Sequence, residues 1–524
     1  MTSLTSDEYV APSIPNATIG SSSASIQREE RLAKWFTVLL FIGIASVMVR
    51  PLFSQSSWLI FVQDDFLYYL KVAQNIAHGH GSTFNGITAT NGYQPLWLSL
   101  LVLLSYVTED PKLVFGFIAL SGFTASVVTF FLARKIIATS SVRPLLVFAL
   151  AAWTTLYSTT LFFYGMEVTL TVPLILGVVC LTRNVSWLEG GPLRTFTLGS
   201  LLSAMVLSRI DTLILCGLIV VGVMLTPSIR RLVRTDLFLG LLCGLLPIVG
   251  YFLLNHFVFG TWLPVSGMAK ELRSTHLPSI EPWRVFFHPL AGFFATVLVA
   301  ALVLVPLVRT RLSAMERVLV SAAILFPFTY YFILSCVSDW TLWGWYYYPI
   351  RSALCVSFLV FCFYPPLARI LQTRSVTFIL VASVAICLIF MRWTRQQTDI
   401  YSASVEIQQF AQTHPGTYAM GDRAGRVAYL IPDPIVQTEG LMMDREYLRF
   451  IEHQTPLRDT LAHYKVRYYI ATAYDPFTGC FQAAEPAKAG PQSAHMRAVF
   501  CETPLAHFSH DGIQTLIYDL GVSQ

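Results

Sequence analysis

The chain has 524 residues, 55% of them hydrophobic, 14% aromatic and only 12% charged. Soluble domains carry about 25% charged residues, so a soluble enzyme is excluded and most of this surface must face lipid. The net charge is only +5, and the basic residues fall in short groups between apolar runs. That is a topology signal rather than a nucleic-acid footprint.

Residues 1–34 read as a disordered cytoplasmic N-terminus. The start is rich in Ser, Thr and Ala, and Arg28, Arg31 and Lys34 precede the first apolar run at 35–53. No cleavable signal peptide is evident, so that run is expected to remain as the first helix. Apolar segments lie near 35–53, 94–107, 113–132, 144–163, 166–182, 195–208, 211–227, 236–258, 289–309, 316–338, 345–365 and 374–391. A crossing needs about 20 apolar residues, which makes 94–107 and 195–208 short. Basic turns at Arg230, Arg231 and Arg234, at Arg309, Arg311 and Arg317, and at Arg369 and Arg374 read as cytoplasmic.

With the N-terminus inside and 392–524 outside, the number of crossings must be odd. The expectation is an α-helical multi-pass membrane region over 35–391 with about 11–13 transmembrane helices, eleven being preferred. Either 195–227 is one long tilted helix or 94–107 is re-entrant, and the two options put Gly165-Met166-Glu167 on opposite sides.

Two stretches are long enough to build exoplasmic structure, 54–93 and 259–288. In the first, Phe66, Tyr69, Leu70, Ala73 and Ile76 recur at helical spacing. They predict an amphipathic helix over 64–77 on the membrane surface, stopped by Gly79 and Gly81. The second holds Lys270, Glu271, Arg273, His276, Arg284 and His288. From 392 the composition changes. Strand-like runs at 417–421, 435–439, 466–471 and 513–520 alternate with helical patterns, predicting a small exoplasmic α/β domain over 392–524. Seven of the nine cysteines lie in or beside apolar segments as packing residues. Cys480 and Cys501 stand apart in the tail, where a disulfide and two free thiols are both open readings.

Asp64 and Asp65 are the main chemical candidates. A carboxylate just outside a membrane can take the proton of an acceptor hydroxyl, and its neighbour can raise its pKa or help hold a divalent cation. The bland alternative is a helix cap. Thr90-Asn91-Gly92-Tyr93-Gln94-Pro95-Leu96-Trp97 then returns to the membrane, with a turn at Asn91-Gly92, a helix start at Gln94-Pro95 and interface aromatics at Tyr93 and Trp97.

The order of these parts resembles the GT-C superfamily of integral-membrane glycosyltransferases. An N-terminal helix is followed by Asp64-Asp65 opening a juxtamembrane helix, the Gly79-His80-Gly81 turn and the Asn91–Trp97 return. The resemblance leans to bacterial branches related to protein O-mannosyltransferases, lipid A aminoarabinose transferases and mycobacterial arabinofuranosyltransferases. Phe163-Tyr164-Gly165-Met166-Glu167 and Leu207-Ser208-Arg209-Ile210-Asp211 also resemble elements of such proteins, the second departing at Ile210 from the more usual Arg-Pro-Asp. Gly421-Asp422-Arg423-Ala424-Gly425 and Thr438-Glu439-Gly440-Leu441 are similar to the exoplasmic domain of some members.

The resemblance implies a polyprenyl-phosphate-linked sugar donor, inversion at the anomeric carbon and a hydroxyl acceptor on a glycolipid, cell-wall glycan or protein. Asp64 matches the first acidic residue of the loop motif and is the expected base. Asp65 matches the second and is expected to orient the acceptor or a cation, metal dependence being open. The donor phosphate calls for exoplasmic cations. Lys71, His78, His80, Lys270, Arg273 and Arg284 are candidates, with Lys270 and Arg273 preferred, then Lys71, and Arg351 just after the aromatic turn. Any one of these can instead be a solvated or snorkelling charge. Glu167, Arg209 and Asp211 are second-tier pocket candidates that can also be a structural ion pair. His80, Asn91, Tyr93, Gln94, Trp343 and Trp345 complete the second tier, the tryptophans as sugar-stacking or interface residues. The rival readings are a transporter or flippase for a lipid-linked sugar, against which no internal repeat is seen, and a non-catalytic scaffold with a partner-binding tail.

Overall fold

The computed structural model describes residues 23–53, 58–139, 141–183, 191–230, 235–275, 277–391, 398–473, 479–510 and 512–521. Residues 1–22 of the expected N-terminal segment, Arg231, Arg234 and His276 lie outside the described residues.

The membrane region runs α1 (Ser23–Val49), α2 (Asp64–Ala77), α3 (Pro95–Val107), α4 (Pro111–Ile137), α5 (Pro144–Phe162), α6 (Val168–Thr182), α7 (Pro192–Ser208) and α8 (Leu213–Met224). It continues with α9 (Pro227–Arg230), α10 (Thr235–Leu254), α11 (Val265–Glu271), α12 (Pro289–Val308), α13 (Ala314–Val337), α14 (Tyr348–Phe363), α15 (Pro365–Leu371) and α16 (Arg374–Met391). Proline opens many of these helices, where its fixed φ suits the first turn and its missing N–H costs nothing. Asp110 accepts from the amides of Lys112 and Leu113 to cap α4, and Ser313 and Glu316 form a reciprocal capping box on α13.

By length and composition α1, α4, α5, α10, α12, α13, α14 and α16 can each cross a membrane, and α3, α6 and the helix ending at Met224 are shorter apolar helices. The chain is an integral multi-pass membrane protein. Residues 195–227 are not one long helix. The backbone turns extended at Arg209 and passes through a 3-10 turn at Ile210–Thr212. The first helix also starts earlier than expected. Residues 23–34 are helical, because Arg28, Glu29, Glu30 and Arg31 are good helix formers and Glu29 pairs with Arg143.

The tail adds α17 (Thr398–Ala411), β1 (Tyr418–Met420), α18 (Ala424–Leu430), β2 (Ile435–Gln437), α19 (Arg445–Glu452), α20 (Leu457–His463) and β3 (Tyr468–Ala473), then β4 (Phe481–Glu485), β5 (Met496–Phe500), β6 (Ala506–His510) and β7 (Ile513–Asp519). The sheet order is β2-β1-β3-β7-β6. β1 is parallel to β2 and β3, while β7 is antiparallel to β3 and β6. β4 and β5 form a separate hairpin closed by the Cys480–Cys501 disulfide.

One expectation needs correction. The 64–77 helix exists, and Gly79 and Gly81 end it in the left-handed region. Its faces are covered by protein rather than left open. Phe66, Leu67, Tyr68, Tyr69, Leu70, Val72, Ala73 and Asn75 are all buried, because α3 covers one side and α18 of the tail domain another.

Candidate active site

Asp64 and Asp65 occupy the first turn of α2, where the helix dipole favours negative charge. Successive helical residues point about 100° apart, and the two carboxylates go to different partners. Asp64 accepts from the amides of Gly425 (2.9 Å) and Arg426 (2.8 Å), one per oxygen, at the start of α18. Arg426 returns a hydrogen bond to the Val62 carbonyl at 3.0 Å. A Cβ at position 425 would sit 2.5 Å from the Asp64 carbonyl oxygen, so glycine is required for this approach. Burial raises the Asp64 pKa, and Arg426 with the two amides pulls it back down.

Asp65 meets no such amides. Burial pushes its carboxyl up to about 7; Lys270 lowers it, and Asp64, Glu167 and Asp422 raise it further. Asp65, Tyr68, Lys270, Trp345 and Leu441 line both of two adjoining cavities. Lys270 is held by the Tyr346 hydroxyl and lies over the Tyr346 and Trp340 rings, 5.1 and 5.8 Å from their centroids.

The inner cavity, about 60 Å³, is completed by Gln94, Met166, Glu167, Arg209 and Tyr346. Arg209 bridges Glu167 at 2.6 Å and Asp211 at 2.7 Å, and the Tyr348 hydroxyl donates to Asp211 at 2.8 Å. Gln94 ties the return loop to this set: its side-chain oxygen accepts from the Ile210 amide, and its own amide donates to the Tyr69 hydroxyl. The outer cavity, about 110 Å³, opens between the membrane region and the tail domain. Trp343 and Trp345 stack 6.1 Å apart in its lining. Asp422, paired with Lys488 at 3.2 Å, Arg423 and Glu439 line it as well, with Lys488 Nζ 6.0 Å over the Trp343 ring.

No family model matches the chain, and no curated protein matches it by sequence. Solved structures do match. ArnT from Cupriavidus metallidurans, bound to undecaprenyl phosphate, superposes with a TM-score of 0.52 at 14% identity, covering 88% of this chain and 97% of that one. The oligosaccharyltransferase of Archaeoglobus fulgidus tethered to an acceptor peptide gives 0.48 at 11% identity, covering 83% and 69%. The same enzyme, AglB, with an inhibitory peptide and a dolichol-phosphate gives 0.46 at 9% over the same shares. The chain has the GT-C fold.

Within this GT-C fold the expected site residues separate clearly. Asp65, Gln94, Glu167, Arg209, Lys270, Trp343 and Trp345 line one or both cavities, as does Asp64 on the outer one, and Asp211 supports Arg209 from behind. Asn91 is fully buried as a clasp, donating to Asn255 and Thr261 and accepting from the Val265 amide. The Tyr93 hydroxyl is spent on Ser82 at 2.7 Å. His80 is exposed, and His78 pairs with Glu109 at 3.2 Å. Lys71 is pulled down by burial and faces Glu109.

Three expected phosphate ligands are engaged elsewhere. Arg273 binds the carbonyls of Leu277 and Cys336 and the Gln492 side chain. Arg351 is buried in α14, donating to Tyr157 O and Thr160 Oγ1 with its guanidinium 4.3 Å over the Tyr157 ring. Arg284 pairs with Glu281. Both Asp64 oxygens hold amides, and among the described residues no three His, Cys, Asp or Glu side chains group as metal ligands. Asp422, Arg423, Glu439 and Lys488 were absent from the expected site. The Gly421–Gly425 and Thr438–Leu441 motifs carried a signal for the first three; Lys488 had none.

Proposed function

We propose that this chain is a glycosyltransferase of the bacterial inner membrane. It would move a sugar, with inversion, from a polyprenyl-phosphate-linked donor to an exoplasmic hydroxyl on a glycolipid, cell-wall glycan or protein. One observation carries the reading: Asp65, with a pKa near neutrality and Lys270 beside it, sits on the wall common to two cavities. A base so placed reaches a donor on one side and an acceptor on the other. The GT-C fold shared with an undecaprenyl phosphate-bound protein supports the donor class.

Asp65 takes the acceptor hydroxyl proton as the oxygen attacks the anomeric carbon. The bond from that carbon to the phosphate oxygen breaks, and Lys270 and Arg209 offset the charge on the departing lipid phosphate. Asp64 is reassigned from base to docking residue, since its oxygens already hold two amides. The test is transfer from a synthetic polyprenyl-phosphate sugar by purified protein in detergent. Asp65→Asn should lower the rate by about 10²–10⁴-fold, and Lys270→Met should weaken donor use. Full transfer by Asp65→Asn would overturn the assignment of the base, and unchanged surface glycans in a deletion strain would overturn the whole reading.

A further inference from the structure

Glu439 stands in the turn after β2 and is only 4% exposed. The turn around it is braced. Gln437 donates from Nε2 to Glu439 Oε2 at 3.1 Å and accepts from the Leu441 amide at 2.9 Å. The Tyr447 hydroxyl donates to the Thr438 carbonyl at 3.1 Å. Gly440 closes the turn at φ +76°, and a Cβ there would meet Ile451 Cδ1 at 2.8 Å. One carboxyl oxygen is therefore tied and the side chain is oriented. The other, Oε1, is buried without a hydrogen-bond partner, on a residue that lines the outer cavity.

Buried polar atoms are rarely left unbonded unless a ligand or water supplies the partner. Two other carboxylates of this cavity are already engaged: Asp64 holds two amides and Asp422 holds Lys488. The same cavity is lined by Trp343 and Trp345, which stack on each other with Lys488 Nζ 6.0 Å from the Trp343 ring centroid, and aromatic faces suit the C–H surface of a sugar ring. Burial, with Asp422, Glu485 and Asp65 nearby, raises the Glu439 pKa, and Lys488 opposes this. In either protonation state Oε1 can bond a hydroxyl, as acceptor or as donor.

We propose that Glu439 is a specificity-determining residue whose Oε1 hydrogen-bonds one hydroxyl of a sugar ring lying against Trp343 and Trp345 in the outer cavity. The proposal rests on the glycosyltransferase reading for the purpose of the cavity. The ring belongs either to the donor or to the acceptor.

The experiment measures binding of methyl glycosides of common hexoses and pentoses, and of their monodeoxy analogues, to the full-length protein in lipid nanodiscs. Wild type should lose about tenfold in affinity for one monodeoxy analogue of its preferred glycoside. Glu439→Ala should bind the parent about as weakly as that analogue and no longer tell them apart. Glu439→Gln, which keeps the shape of the turn, should recover part of the discrimination. Competition by a polyprenyl-phosphate sugar marks the donor ring; additive binding marks the acceptor ring. The proposal is overturned if no glycoside binds, if no monodeoxy analogue is rejected, or if the Glu439 variants weaken parent and analogues equally. Binding is read without turnover, so discrimination by a protein that transfers no sugar would overturn the function above and leave this inference standing.

Discussion

Asp64 and Asp65 are neighbours in sequence with opposite work in the fold, and their pH behaviour separates them. A base with a pKa of about 7 acts only when ionised. We expect kcat/KM to climb about tenfold per pH unit below 7 and to level off above it, and Asp65→Asn to abolish that limb. The stability sign is the reverse. The folded pKa of Asp65 lies above its ordinary 3.8, so its contribution is fully present below about 4 and is lost as pH rises through about 7. The thermal midpoint of wild type should therefore fall relative to Asp65→Asn across that window. Asp64→Asn should show the opposite balance. One backbone amide would face an –NH₂ group instead of an oxygen, costing about 1–3 kcal/mol, visible as a lower Tm with a smaller loss of activity.

At the scale of elements, the return loop and the break between α7 and α8 form one buried polar joint. Arg209 is its centre, 5% exposed between Glu167 and Asp211. Removing one member of a buried ion set leaves its partners uncompensated. Arg209→Gln should destabilise the protein by about 3–5 kcal/mol, read as a lower Tm in detergent, whereas the exposed His80→Ala should change it little. The loop is also fitted against the tail domain. A Cβ on Gly92 would lie 1.9 Å from the Leu441 carbonyl oxygen, so Gly92→Ala should displace the 438–441 turn and impair both folding yield and transfer.

For the whole molecule, the outer cavity exists only because the tail domain closes on the membrane region. Asp64 holds α18, while Asp339 accepts from Ser279 and from the Gln492 amide, seating the loop that carries Lys488. That loop belongs to the β4–β5 hairpin, whose ends the Cys480–Cys501 bond joins across a separation of 21 residues. Cys480→Ser should cost about 2–4 kcal/mol, measured by comparing its unfolding with that of wild type under non-reducing conditions.

Much of this was legible in the residues themselves. The apolar runs, proline starts and glycine stops lie along single helices, so local sequence determined the membrane-spanning elements, the 64–77 helix and four of the tail strands. β4, β5 and β6 were not legible, since runs of five residues with few β-branched side chains give a weak strand signal. The covering of α2 by a helix some 360 residues away, at Gly425 and Arg426, is invisible to periodicity. Sequence also pointed to the Asp-Asp pair, with Asp64 as the expected base, but not to the partners that each carboxylate meets. Only tertiary structure separates the two, by giving Asp64 two backbone amides and placing Asp65 on a wall shared by both cavities. Partner choice among buried charges is a property of long-range packing, and a linear pattern carries no record of it.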